Sequence, residues 1–295
     1  MLRLAACWLL GLGLGLGSTQ QVLAQESTAA ITPAAKALHQ KYVDLQNALA
    51  HNPFGRALTI ESSEINNIAR GDIYAVVDYS FASVTQGLNH PAHWCDVMLL
   101  HLNTKYCHAQ IAPQAIQLRI YLGKKTPEPL NSATRLEFRY TVQSAQADYL
   151  AIDLNAARGP LGTSDYRITL EAVPLPGNKT FLHLSYAWSS NLSARLAMQL
   201  YLNTVASDKV GFTQSTNSRP IGGIRGLVER NTMRYYLAID SYLASANLPA
   251  AKQLDARLQS WFSATERYPL QLHEIERAEY ISMKHDEYQR QQSLQ

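Results

Sequence analysis

The chain has 295 residues, of which 46% are hydrophobic and 17% charged, with a formal net charge of +3. That composition suits one packed domain with additions. The positive excess is spread along the chain without a basic run, which argues against nucleic acid as a partner.

Residues 1–24 have the pattern of a secretory signal peptide: Arg3 supplies a positive start, residues 4–17 are apolar, and Val22-Leu23-Ala24 is a small-residue cleavage site. The apolar run is shorter than the roughly 18 residues a membrane-spanning helix needs. The mature chain is expected to begin at Gln25 and to act outside the cytoplasm, in a periplasm or as a secreted protein. Leu4-Ala5-Ala6-Cys7 looks like an acylation box but precedes most of the apolar stretch it should follow. The glycines at 11, 13, 15 and 17 belong to this leader and have no strand-to-helix context for binding a nucleotide.

Residues 32–50 begin with Pro33 and place Leu38, Tyr42, Leu45 and Leu49 at helical steps. Strands are predicted over 57–62 and 72–79. Ser80 reads as the cap of a short helix over 81–88. A second helix over 91–96 then leads into an apolar strand, 97–102. Five segments with period-two patterning follow, at 116–122, 134–142, 149–155, 166–173 and 181–188, and predict antiparallel strands with one apolar face. Pro174-Leu175-Pro176-Gly177-Asn178 supplies the turn before the last of them. Beyond Trp188 the period becomes helical: residues 192–205 with Asn191 or Ser193 as cap, a long helix from Gly222-Gly223 to about 243, and two more over 249–265 and 269–289. The last is mostly polar and is expected to be a solvated or partner-facing appendage. The organisation expected is a leader (1–24), an N-terminal helix (25–56), a central domain (57–246) and a C-terminal helical extension (247–295).

Removing Cys7 with the leader leaves Cys95 and Cys107, which an oxidising compartment would join; two buried free thiols are the alternative. On this reading the two cysteines flank one strand.

The run Ala75-Val76-Val77-Asp78-Tyr79-Ser80-Phe81-Ala82-Ser83-Val84, followed by Leu88-Asn89-His90-Pro91-Ala92-His93-Trp94, resembles the START-like, helix-grip (SRPBCC) family over about residues 72–243. The N-terminal helix, the helix at 192–205 and the C-terminal pair depart from a minimal member. The resemblance implies an α+β fold in which a curved antiparallel sheet grips the long helix, around a cavity for an apolar or amphipathic, lipid-like molecule. Tyr140, Tyr149, Tyr166, Tyr186 and Trp188 are candidates for its lining or, equally, for core filling. Arg139, Arg167, Glu171, Arg225, Glu229 and Arg230 are candidate polar contacts, with Arg139 and Glu229 foremost. A solvated charge ladder is the alternative for each.

His90, His93, His101 and His108 lie around the cysteines with Asp96, but their spacing matches no zinc pattern, so no metal and no cofactor is expected. No Gly-x-Ser-x-Gly elbow or phosphate loop is present. An exported binding protein is therefore the leading expectation. An enzyme would draw first on Glu171, His183 and Glu229. An interaction protein with a filled cavity would dock a partner through its C-terminal helices.

Overall fold

The computed structural model describes residues 32–204 and 207–294, so the expected leader, its cleavage site and Cys7 lie outside the described residues. Helix α1 (Pro33–Ala50) opens the chain, with Thr32 as its cap and Pro33 in the first turn. Strands β1 (Leu58–Ile65) and β2 (Ile68–Val77) form a hairpin closed by Asn66 and Asn67, both at positive φ, a conformation asparagine tolerates better than most residues. The expected strands stopped short of this turn on both sides. Ser80 accepts from the Ser83 amide and starts α2 (Phe81–Leu88) as expected.

The largest departure follows. Helix α3 runs Pro91–Leu100, so Val97 to Leu100 are helical where the apolar run suggested a strand. All four are buried. A helix segment enclosed on every side shows no polar face, and periodicity cannot separate it from a buried strand. Strand β3 begins only at Thr104 and ends at Ala112. Cys95 on α3 and Cys107 on β3 thus join a helix to a strand through a disulfide with Cα atoms 5.1 Å apart, rather than flanking one strand.

Strands β4 (Ala115–Leu122), β5 (Thr134–Ala145), β6 (Leu150–Arg158), β7 (Thr163–Leu175) and β8 (Lys179–Ser190) match the five expected segments, each slightly longer than its period-two core. All eight strands form one antiparallel sheet in the order β1-β2-β8-β7-β6-β5-β4-β3. Asn191 caps α4 (Leu192–Asn203), on which Leu192, Leu196 and Leu200 are exposed. The long helix is α5 (Gly223–Ser245), followed by α6 (Ala250–Thr265).

The two sheet faces are packed separately. Ile73 and Ala75 of β2, Leu182 and Leu184 of β8, Leu170 of β7 and Phe138 of β5 face inward and share one core with Met233, Leu237 and Ile239 of α5. Gly71 is what lets α5 lie so close to β2: a Cβ there would collide with Thr232 Oγ1. On the outer face Tyr149, Ala151, Val173 and Phe181 form a second core under Ala35, Leu38 and Leu49 of α1. The sheet therefore grips α5 on one side and carries α1 on the other.

The C-terminal segment is two helices rather than one, α7 (Pro269–Leu272) and α8 (Arg277–Ser293). Nor is α8 a solvated appendage. Tyr280, Met283, Lys284, Glu287 and Gln291 are buried. Tyr280 donates to the Leu100 carbonyl at 2.9 Å, and Glu287 accepts from Lys105 at 2.9 Å and Lys284 at 2.7 Å. Its polar sequence conceals a charged face turned into the protein. Burial pushes the Lys284 ammonium down to about 8, only partly offset by Glu287.

Candidate functional site

Between the inner sheet face and α5 lies a cleft of about 510 Å³ that is open to solvent. Three tyrosines form its aromatic wall: Tyr166 of β7, Tyr186 of β8 and Tyr235 of α5. Ring centroids are 6.2 Å apart for the first pair and 5.3 Å for the second. Tyr166 continues the inward alternation of Ala172, Leu170 and Ile168, and a bulge just before Arg167, where Asp165 takes a positive φ, shifts β7 against β8 beside it. Its hydroxyl pairs with Thr163 Oγ1 at 2.9 Å. Burial pushes the Tyr186 hydroxyl well above its ordinary pKa, so it stays a neutral hydroxyl. Ser132, Thr134, Pro160 and the exposed Leu161 also border the space.

The cavity also has a polar border. His101 closes the C-terminus of α3, and its ring stacks on Tyr235 at 4.8 Å. His101 is 4% exposed. Its Nδ1 accepts from the Asn103 amide at 3.2 Å, which assigns the ring proton to Nε2. That Nε2 has no hydrogen-bond partner among the described residues. Asn231 borders the same space and favours the charged ring, but stands outside bonding geometry with Nε2. Burial first, then Arg234, Lys284 and Lys125, hold the imidazole well below its usual pKa, so it is neutral.

Positive charge is concentrated behind this histidine. Glu274 is shared by Lys125 at 2.6 Å, Arg234 at 2.8 Å and Lys209 at 3.8 Å. Arg230 donates only to the backbone carbonyls of Lys209 and Val210. Arg234 is buried, its Nε is unpaired, and its Nη1 lies 3.4 Å from Asn231 Oδ1.

The residues expected from sequence divide between the two sides of the sheet. Tyr166 and Tyr186 line the cavity. Tyr140 and Trp188 face inward but are core, and the Tyr140 hydroxyl is held by the Leu88 carbonyl at 3.2 Å. Tyr149 lies on the outer face under α1, and Arg139 is exposed on strand β5. Arg167 is likewise exposed on β7, and Arg225 donates to Ser62 at 3.1 Å. Glu229 is buried and holds the structure together locally, accepting from Ser62 and from the Phe212 and Thr213 amides and so tying the 211–213 loop to α5. His101, Asn103, Asn231 and Tyr235 were not among the expected ligand contacts. The available signal was His101 itself, a polar residue interrupting the apolar run at 97–102.

Of the enzyme suspects, Glu171 and His183 meet on the outer face of the sheet and Glu229 lies apart. His183 stands on the outer face between two carboxylates, Nδ1 2.9 Å from Glu171 and Nε2 2.8 Å from Asp72, under the Tyr74 ring at 4.3 Å. Tyr149 donates to the same Glu171, while Glu229 serves the 211–213 loop. Burial opposes charging His183, but the hydrogen bonds to Asp72 and then Glu171 outweigh it and raise its pKa. Burial would raise the Asp72 carboxyl, yet His183 and Arg70 bring it down to about 2. Linkage gives two signs. The His183 contribution is complete below its unfolded value near 6.5 and is lost as pH rises through the raised folded value. The Asp72 contribution is present above about 3.8 and is lost as pH falls through about 2. The thermal stability of the wild type is thus expected to fall above neutrality relative to His183→Gln. Parallel pH profiles for the two proteins would refute this.

Among the described residues no group of three or more His, Cys, Asp or Glu is placed to hold a metal, and no helix is long and apolar enough to cross a membrane. His90 instead caps α3, and His93 Nδ1 lies 2.9 Å from the Gly87 carbonyl.

No family model matches the chain, and no curated protein matches it. Among solved structures it is similar to human StAR-related lipid transfer protein 5, at 12% identity and a TM-score of 0.35, over 72% of this chain and 95% of that one. It is similar to a STAR-related lipid transfer protein from Xanthomonas axonopodis, at 9% identity and 0.40, over 63% and 93%. The Zhui aromatase/cyclase of Streptomyces sp. R1128 matches at 12% and 0.39, over 62% and 98%. The chain itself folds as an α+β protein whose open, eight-stranded antiparallel sheet grips the long helix α5 on one face.

Proposed function

We propose that the protein binds a small apolar or amphipathic molecule in the cavity between the sheet and α5, and that it does so outside the cytoplasm. One observation carries the binding reading: a cleft of about 510 Å³, open to solvent, lies between the sheet and α5 and is walled by Tyr166, Tyr186 and Tyr235. Protein interiors close to near-crystalline density, and aromatic walls with polar tips are typical of ligand sites. Export is supported by the leader pattern of residues 1–24 and by the disulfide between Cys95 and Cys107, a bond that persists in oxidising compartments.

Native mass spectrometry of protein purified from its own host, followed by extraction, tests the first part. A bound small molecule of defined mass is expected. Ser132→Trp adds a check, because Ser132 is exposed at the cavity and outside the core. The variant should bind that molecule at least about tenfold more weakly, or 1.4 kcal/mol, with an unchanged unfolding midpoint. Unchanged affinity, with nothing extractable, would remove the carrier reading. N-terminal sequencing of the exported protein should begin at Gln25.

A further inference from the structure

The cavity sets an aromatic wall beside a polar border that carries Lys124 and Glu128 at its rim, with further cations behind His101. His101 Nε2–H is a buried donor with no partner among the described residues, on a ring that borders the cavity. Leaving such a donor unmet is unfavourable, and native structures rarely do so without a ligand, ion or water in attendance. The charges around the ring are unbalanced. Lys284 donates to the His101 carbonyl at 2.7 Å and shares Glu287 with Lys105. Arg234, Lys125 and Lys209 share the single carboxylate Glu274, and Arg230 has only backbone carbonyls. Arg234 reaches the cavity border through Asn231. Two further carboxylates lie in this region: Glu229, saturated by Ser62 and the 211–213 loop, and Glu128 at the cavity rim, which accepts from the Lys124 amide at 2.7 Å.

We propose that the ligand is an anionic amphiphile whose carboxylate, or equivalent singly charged oxygen head, accepts from His101 Nε2–H while its apolar body lies along Tyr166, Tyr186 and Tyr235. This rests on the cavity being the ligand site. An oxyanion is the acceptor this donor lacks, and the surplus of cations offsets the loss of its hydration. A neutral alcohol of the same length would fill the same apolar space but gain nothing from the surplus charge.

The test compares paired probes on the intact protein by calorimetry at neutral pH: dodecanoate against dodecanol, and naphthoate against naphthalenemethanol. The acid of at least one pair is expected to bind about tenfold or more tightly than its alcohol, the scale of a hydrogen bond to a charged group. His101→Phe keeps a ring to stack on Tyr235 and removes the donor. It should collapse the preference and leave alcohol binding intact, while His101→Gln, which retains an N–H, should restore part of it. Equal affinities of acid and alcohol in the wild type would overturn the head-group assignment and leave the cavity reading standing, whatever the variants do. If no member of either pair binds, both fail.

Discussion

Replacing Glu287 by alanine is expected to lower the stability of the folded protein by about 3–5 kcal/mol, the range for removing one partner of a buried ion pair. The side chains of Lys105 and Lys284 are both 0% exposed, and Glu287 is the carboxylate that both contact. Without it two ammonium groups would remain in the interior with only carbonyl oxygens and the Met283 sulfur for company. Born solvation makes that arrangement far worse than its solvent-exposed equivalent. The measurement is the urea midpoint of the variant against wild type, with Glu287→Gln as the partner that keeps an acceptor and loses only the charge. A loss below about 1 kcal/mol for alanine, as for an ordinary surface pair, would show that α8 is not anchored through this cluster.

Reducing the disulfide comes next in size. The cysteines are separated by 12 positions, and a loop of that length gives about 3 kcal/mol when closed in the unfolded chain. Both residues are buried, and α3 meets β3 at this point, next to the turn that carries His101. Comparing the oxidised and reduced forms of the same chain avoids any change in packing volume. The reduced form is expected to unfold at lower urea by that amount, and to weaken ligand binding because the α3–β3 turn carries His101 and Asn103. Equal midpoints for the two forms would contradict the first expectation.

Strands β4 to β7 were legible because buried and less buried positions alternate along much of each, and β8, though buried on both faces, because its inward Leu182, Leu184 and Tyr186 alternate with His183, Ser185 and Ala187. Arg135, Glu137 and Arg139 alternate with Leu136, Phe138 and Tyr140, and burial follows the same alternation. Legibility failed in α3 and α8. Residues 97–100 are apolar throughout because α3 is enclosed, and α8 reads as polar because its buried face is built from Lys284, Glu287 and Gln291. The same ambiguity separated Tyr149 from Tyr166. Tyr149 immediately precedes β6 and faces α1, whereas Tyr166 on β7 faces the cavity, and only register decides between them. The polar border of the cavity was illegible for a different reason: His101 and Asn103 of the α3–β3 turn meet Asn231 of α5 only through the path of α5 across the sheet.

The pairing of β2 with β8 has a consequence for how the chain is made. Asp72 and His183 face each other across a sequence separation of 111, so the hairpin of β1 and β2 is synthesised long before the strand that completes it. Until then β2 presents a free edge whose backbone groups can template another chain. Long-range pairings of this kind also slow folding and prolong that exposure. Truncated products ending before residue 179 would lack β8 altogether. They are expected to aggregate through that edge, whereas a chain cut after α6 would still have every strand of the sheet.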